Sequence, residues 1–87
     1  MGEKLIGKIS HYFNKVNVAA IEIAEGEVSV GDTIRIVGHT TDFTQTIDSM
    51  QIDRAPVERA VAGQAIGIRV DDAARVGDKV MLVTPDD

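Results

Sequence analysis

The chain has 87 residues, enough for one domain with a modest core, and contains no cysteine. A disulfide framework, a thiolate nucleophile and a cysteine-based zinc site are therefore excluded. Hydrophobic residues make up 44% and charged residues 26%, which fits a globular domain rather than a disordered segment, and the net charge of −5 is shared by both halves, so no basic stripe marks a nonspecific nucleic-acid binder.

The apolar set is strongly biased: 10 Ile and 11 Val stand against 2 Leu, and 6 Thr bring the β-branched residues to 27. Such side chains fit a pleated surface and are stiff in a helix, so an all-β domain is expected. No apolar run approaches the ~20 residues of a membrane span. No long apolar stretch follows Met1-Gly2-Glu3-Lys4, so a soluble, cytoplasmic protein with no membrane association is the expectation.

In chain order, Leu5, Ile9 and Phe13 predict one face of a first strand, with a turn at Asn14-Lys15. Ala19, Ile21 and Ile23 predict a second strand, broken at Glu25-Gly26-Glu27. Val28 to Val30 reads as a connector, and Ile34 and Ile36 as a third strand ending at Gly38. Thr40 to Gln45 reads as a polar loop around Phe43. A fourth strand is predicted from about Thr44 to Ile52, where a change of parity between Ile47 and Met50 calls for a β-bulge near Asp48-Ser49. Ala55-Pro56 stops it, and residues 56–61 could form a single helical turn. Ile66, Ile68 and Val70 mark a fifth strand, Val80 and Leu82 a sixth, and Asp86-Asp87 a solvated tail. Breaks every 8–12 residues predict one small antiparallel closed barrel of six to seven strands, of Greek-key type, with its core over about residues 4–84. Val30-Gly31-Asp32 recurs as Val76-Gly77-Asp78 and, more loosely, as Ala62-Gly63-Gln64, each placing Gly just before a strand and a capping side chain after it.

Catalytic signatures fail on inspection. Gly2 to Lys8 matches a phosphate-loop spacing, but Ile9 stands where Ser or Thr would bind Mg²⁺ and strand alternation runs through it. No nucleotide hydrolysis is expected. His11 and His39 lie 28 positions apart, and Ser10, Ser29 and Ser49 lie in no nucleophile elbow. A chain that is not an enzyme and needs neither metal nor other cofactor is expected. The candidate contact residues are Thr41, Phe43 and Gln45 in the polar stretch, and Arg54 with Arg59 flanking Pro56. A loop aromatic can stack on a base or plug a barrel end, and two arginines can clamp a phosphate or carboxylate or pair with Asp53 and Glu58. Arg35 and Arg69 are expected in solvent.

The ordered set Ala19-Ala20-Ile21-Glu22-Ile23, Val28 to Gly38, Thr46 to Ile52, Ala60 to Ile68 and Arg75-Val76-Gly77-Asp78 resembles the β-barrel second domain of translational GTPases, the elongation factor Tu group. Without a G domain, such a barrel resembles the small translation elongation factor-like proteins. The resemblance implies a translation-protein barrel that contacts the tRNA acceptor end or ribosomal RNA. It carries that group's arginine onto Arg54 and its glutamate onto Gln51, and Asn14-Lys15-Val16-Asn17 replaces a Gly-Arg-Gly turn. The other partner it implies is a protein: a GTPase, an RNA-modifying enzyme or a second copy on which the barrel docks as an accessory module.

Overall fold

The structure is a computed structural model and is described for residues 2–84; the expected tail at Asp86-Asp87 lies outside them. Ten strands follow in chain order: β1 (Gly2–Phe13), β2 (Val18–Ile23), β3 (Glu27–Ser29), β4 (Thr33–Val37), β5 (Asp42–Thr46), β6 (Met50–Ile52), β7 (Ala55–Val57), β8 (Arg59–Val61), β9 (Ala65–Arg69) and β10 (Lys79–Thr84). Eight form one antiparallel sheet in the order β5-β4-β10-β1-β2-β9-β6-β7, and β3 pairs with β8 as a separate ribbon. The fold is thus all-β and barrel-like, with an interleaved rather than up-and-down strand order.

Ten strands replace the expected six or seven, and each addition has a physical cause. The supposed connector at Val28 is a strand because its partner is distant: Glu27, Val28 and Ser29 pair with Val61, Ala60 and Arg59. The supposed polar loop is β5, held to β4 by pairing of Asp42 with Val37 and Thr46 with Thr33. The change of parity between Ile47 and Met50 is a break between β5 and β6, not a bulge. Residues 55–61 form β7 and β8, so no helical turn occurs there. The β6–β7 hairpin closes at Asp53-Arg54, both with positive φ (51° and 68°), a conformation that usually selects Asn or Gly.

The bulges lie in β1 instead, between Leu5 and Gly7 and between Ile9 and His11. Each resets side-chain parity. Ile6 and Ile9 therefore point into the core, while Leu5 and Phe13, expected inside, are 41% and 49% exposed. Gly7 sits at the first bulge, where an added Cβ would collide with the Glu22 carbonyl. The carbonyl of Ile6, freed by the bulge, accepts from the N–H groups of Ala24 (2.7 Å) and Glu25 (3.2 Å).

Nine of the ten isoleucines are buried in one cluster, and Ile52 packs against it, which accounts for the compositional bias. Each buried Ile contributes about 1.5–3 kcal/mol of transfer free energy. The recurring turns are real capping devices: Gly31, Gly63 and Gly77 have φ of 97°, 93° and 94°. Asp32 accepts from the Ser29 N–H (2.8 Å), Gln64 from the Val61 N–H (2.9 Å) and Asp78 from the Arg75 N–H (2.9 Å).

The sheet does not close by a ladder between its end strands, β5 and β7. A side chain spans the seam. Gln45, on β5, donates from Nε2 to the Arg69 carbonyl (2.9 Å) and accepts at Oε1 from the Asp71 N–H (2.7 Å). Ile47 adds two backbone bonds to the β3–β4 turn, accepting from Gly31 and donating to Asp32, both at 2.9 Å.

Candidate functional site

Three of the six residues singled out from the sequence lie on or beside β5, and the fold engages them. Gln45 is buried with both ends of its amide bonded to backbone. Thr41 is buried, and its carbonyl accepts from the Gly38 N–H at 2.7 Å. Phe43 is half-buried against the core, the plugging arrangement rather than a free stacking platform. Thr41 and Phe43 also line a cleft of about 290 Å³ with Asp42, Asp72 and Arg75.

The other three are exposed but do not converge. Arg54 stands at the β6–β7 hairpin tip. Arg59, on the β3–β8 ribbon, places Nη2 2.6 Å from Glu27 Oε2, not against Glu58, and lines a groove of about 450 Å³ with Ser29, Val30 and Glu58. Arg54 is not among that groove's lining residues. Gln51 lies directly across from Gly67 on β9 and lines a polar groove of about 400 Å³ with Asp48, Ser49, Arg69 and Asp71. Gly67 in turn pairs with Ala20, and Ala20 with His11, so a low outer face runs from Gln51 to the tilted His11–Phe13 ring pair, 5.0 Å between centroids. Arg69, expected in solvent and absent from the candidate list, is part of this face. Its position follows from strand alternation with Gly67 once β9 pairs with both β2 and β6.

Arg35 was likewise expected to be merely solvated. It is the most engaged cation of the described residues. Its Nε and Nη2 donate to the two Asp42 carboxylate oxygens at 2.8 Å, and Nη1 to both Glu3 oxygens at 3.1 Å. Because β10 lies between β4 and β1, this link spans β10. The bonds from Arg35 hold the Asp42 carboxyl below its ordinary range, and those carboxylates raise the guanidinium further above its own. The signal was hidden because Asp42 lies diagonal to Arg35 only once residues 42–46 form a strand.

A further groove, of about 580 Å³, was not anticipated at all. Its lining surface is mainly apolar, with Leu5, Gly7, Ile23 and Ala24 among its residues, and Lys8, Lys79, Glu22 and Glu25 also line it. Among the described residues, no group of three or more His, Cys, Asp or Glu is placed to hold a metal ion.

The model of the family described as "Elongation factor Tu domain 2" matches residues 17–81. The chain belongs to that family. Its curated relatives carry other names. An uncharacterized protease of Methanocaldococcus jannaschii is 38% identical over 79 residues, which are 90% of this chain and 19% of that protein. A collagenase of Porphyromonas gingivalis is 38% identical over 76 residues, 86% of this chain and 21% of that one. The chain therefore spans about a fifth of the length of the curated relatives it matches. Among solved structures, the C-terminal domain of a putative U32 peptidase from Geobacillus thermoleovorans superposes with a TM-score of 0.86, covering 93% of each chain at 15% identity. That likeness concerns the fold. The expected barrel family is thus confirmed, while the expected link to translation factors finds no counterpart in the names of these relatives.

Proposed function

We propose that this domain is a non-catalytic accessory barrel that accompanies a peptidase-type catalytic body and supplies contacts rather than bond-breaking chemistry. The observation that carries this reading is the pattern of coverage: nearly all of the barrel matches about a fifth of a protease and of a collagenase. Its buried Gln45 and Asp78 are bonded to the barrel's own backbone, which leaves the grooves and outer faces as its working parts. Incubated with casein and with denatured collagen, the purified 87-residue protein is expected to release no peptides above a buffer control. Reproducible cleavage that co-purifies with the barrel would overturn the accessory reading. A GTPase or an RNA-modifying enzyme is the alternative kind of catalytic companion.

A second reading, contact with the tRNA acceptor end or ribosomal RNA, is favoured by one feature. The low face from Gln51 over Gly67 and Ala20 to His11–Phe13 offers a planar amide and exposed rings to unstacked bases. The acidic balance leaves little counterion release to draw in a polyanion, so such binding would be weak and only slightly salt-dependent. Titration of ¹⁵N-labelled protein with aminoacylated and deacylated tRNA decides it: amide shifts confined to this face at moderate salt support RNA contact, and none at either salt rejects it.

A further inference from the structure

We propose that the apolar groove of about 580 Å³ beside β1 binds short apolar peptides, holding the carboxyl end at Lys8 and Lys79 and the amino end at Glu22 and Glu25. The inference deepens the accessory reading, on which the choice of a peptide as ligand rests. The groove holds about 580 Å³ and its lining is mainly apolar with a few charged groups, the usual make-up of a small-ligand site. The bulge in β1 shapes it by turning Leu5 outward, which leaves 41% of that side chain exposed on the groove's lining.

The charges around the opening are arranged by the ladder. Lys79, Lys8 and Glu22 are successive partners across β10, β1 and β2, so they stand side by side in one row on the outer face. Lys8 and Lys79 are directly opposed like charges, an arrangement that destabilises a sheet. Neither forms an ion pair among the described residues, in contrast to Arg35 and Arg59. A carboxylate seated between them relieves that repulsion and adds charge-assisted hydrogen bonds. Glu22, next in that row, and Glu25 also line the groove, where they repel a second carboxylate and attract an ammonium group. Glu22 is one strand spacing from Lys8 and two from Lys79, roughly 5 and 10 Å, and an extended chain advances about 3.3–3.6 Å per residue, so a peptide of two to three residues matches the span. An apolar tripeptide with free ends therefore complements the groove in length, polarity and charge direction.

The test is an NMR titration of the 87-residue protein with Leu-Val-Leu, its carboxy-terminal amide, its N-acetyl form, and decanoate. The expected result is saturable shifts at Leu5, Gly7, Lys8, Ile23 and Lys79, with the amide binding at least fivefold and the N-acetyl form at least twofold more weakly. Lys8→Gln/Lys79→Gln should weaken the free acid at least fivefold and abolish its advantage over the amide, while Lys15→Gln, in the β1–β2 turn, should bind as the parent does. Equal binding of acid and amide, or no saturable shift with any of the three peptides, would overturn the proposal. Decanoate binding as tightly as the free tripeptide would assign the groove to apolar acids in general and overturn the peptide assignment. Failure here leaves the accessory reading standing, because cleavage by the barrel itself is the result that removes that one.

Discussion

The two sides of the barrel solve the same closure problem differently. On one side β1, twelve residues long, pairs with β10 along its first part and with β2 along its second. Backbone ladders hold the register there, and two bulges choose which side chains enter the core. On the other side β5 has no ladder to β6, β7 or β8, each only three residues long, and meets the chain after β9 instead. There a single glutamine amide stands in for a strand pairing, offering one donor and one acceptor to the chain after β9. Long ladders tolerate changes to individual outward side chains because many bonds share the register. A seam held by one amide does not.

The comparison breaks first at Gly7. The Cβ of Gly7→Ala would meet the Glu22 carbonyl, which is backbone in the β1–β2 ladder rather than a flexible side chain. Overpacking of this kind costs about 3 kcal/mol when the backbone must move. Urea unfolding should show that loss as a lower midpoint. A change below 1 kcal/mol would mean the β1 bulge relaxes freely and that the ladder side is not the stiffer one. The seam gives the next effect. Gln45→Ala leaves the Arg69 carbonyl and the Asp71 N–H without their partner in a part-buried setting, a loss of about 1–2 kcal/mol. Amide exchange should accelerate at Asp71 well before it does in β1 or β2. If Asp71 exchanges at the parent rate, the seam has another closure and the comparison fails there.

These two sides also differ in how much of them could be read in advance. Isoleucine alternation marked the second, third and fifth expected strands, and Val80 with Leu82 the sixth, while the Gly-Asp turns preceding strands carried their own local signature. The β1 bulges were not legible, since the contacts that select Ile6 over Leu5 come from β10, some 75 positions away in the chain. The seam strands were missed for a related reason. Three residues show no periodicity, and Asp53-Arg54 closes a hairpin without the Asn-Gly or Asp-Gly pair that announces one. Site residues fared the same way. Gln51 was found through the family resemblance, but its neighbours Gly67 and Arg69 needed the β6–β9 pairing, and the lysine row needed both ladders of β1.

The smallest expected effect tests whether the link across β10 belongs with the robust ladder side. Arg35 holds the Asp42 carboxyl below its ordinary range through two 2.8 Å bonds. Folded protein therefore binds fewer protons at Asp42 than unfolded protein does, and stability from this group rises with pH. The contribution is complete above the unfolded carboxylate value of about 4 and fades as pH falls through the lower folded value. Both partners are exposed, so the gain is small and screened by salt. Comparing urea midpoints for the parent and Arg35→Gln at pH 7 and pH 3 isolates it: the gap between them should narrow in acid and at high ionic strength. A gap that stays constant over both changes would show that Arg35 acts by laying its aliphatic stem on the sheet rather than by charge. In that case packing would unite β1, β4, β5 and β10 on the outside, as it already does within.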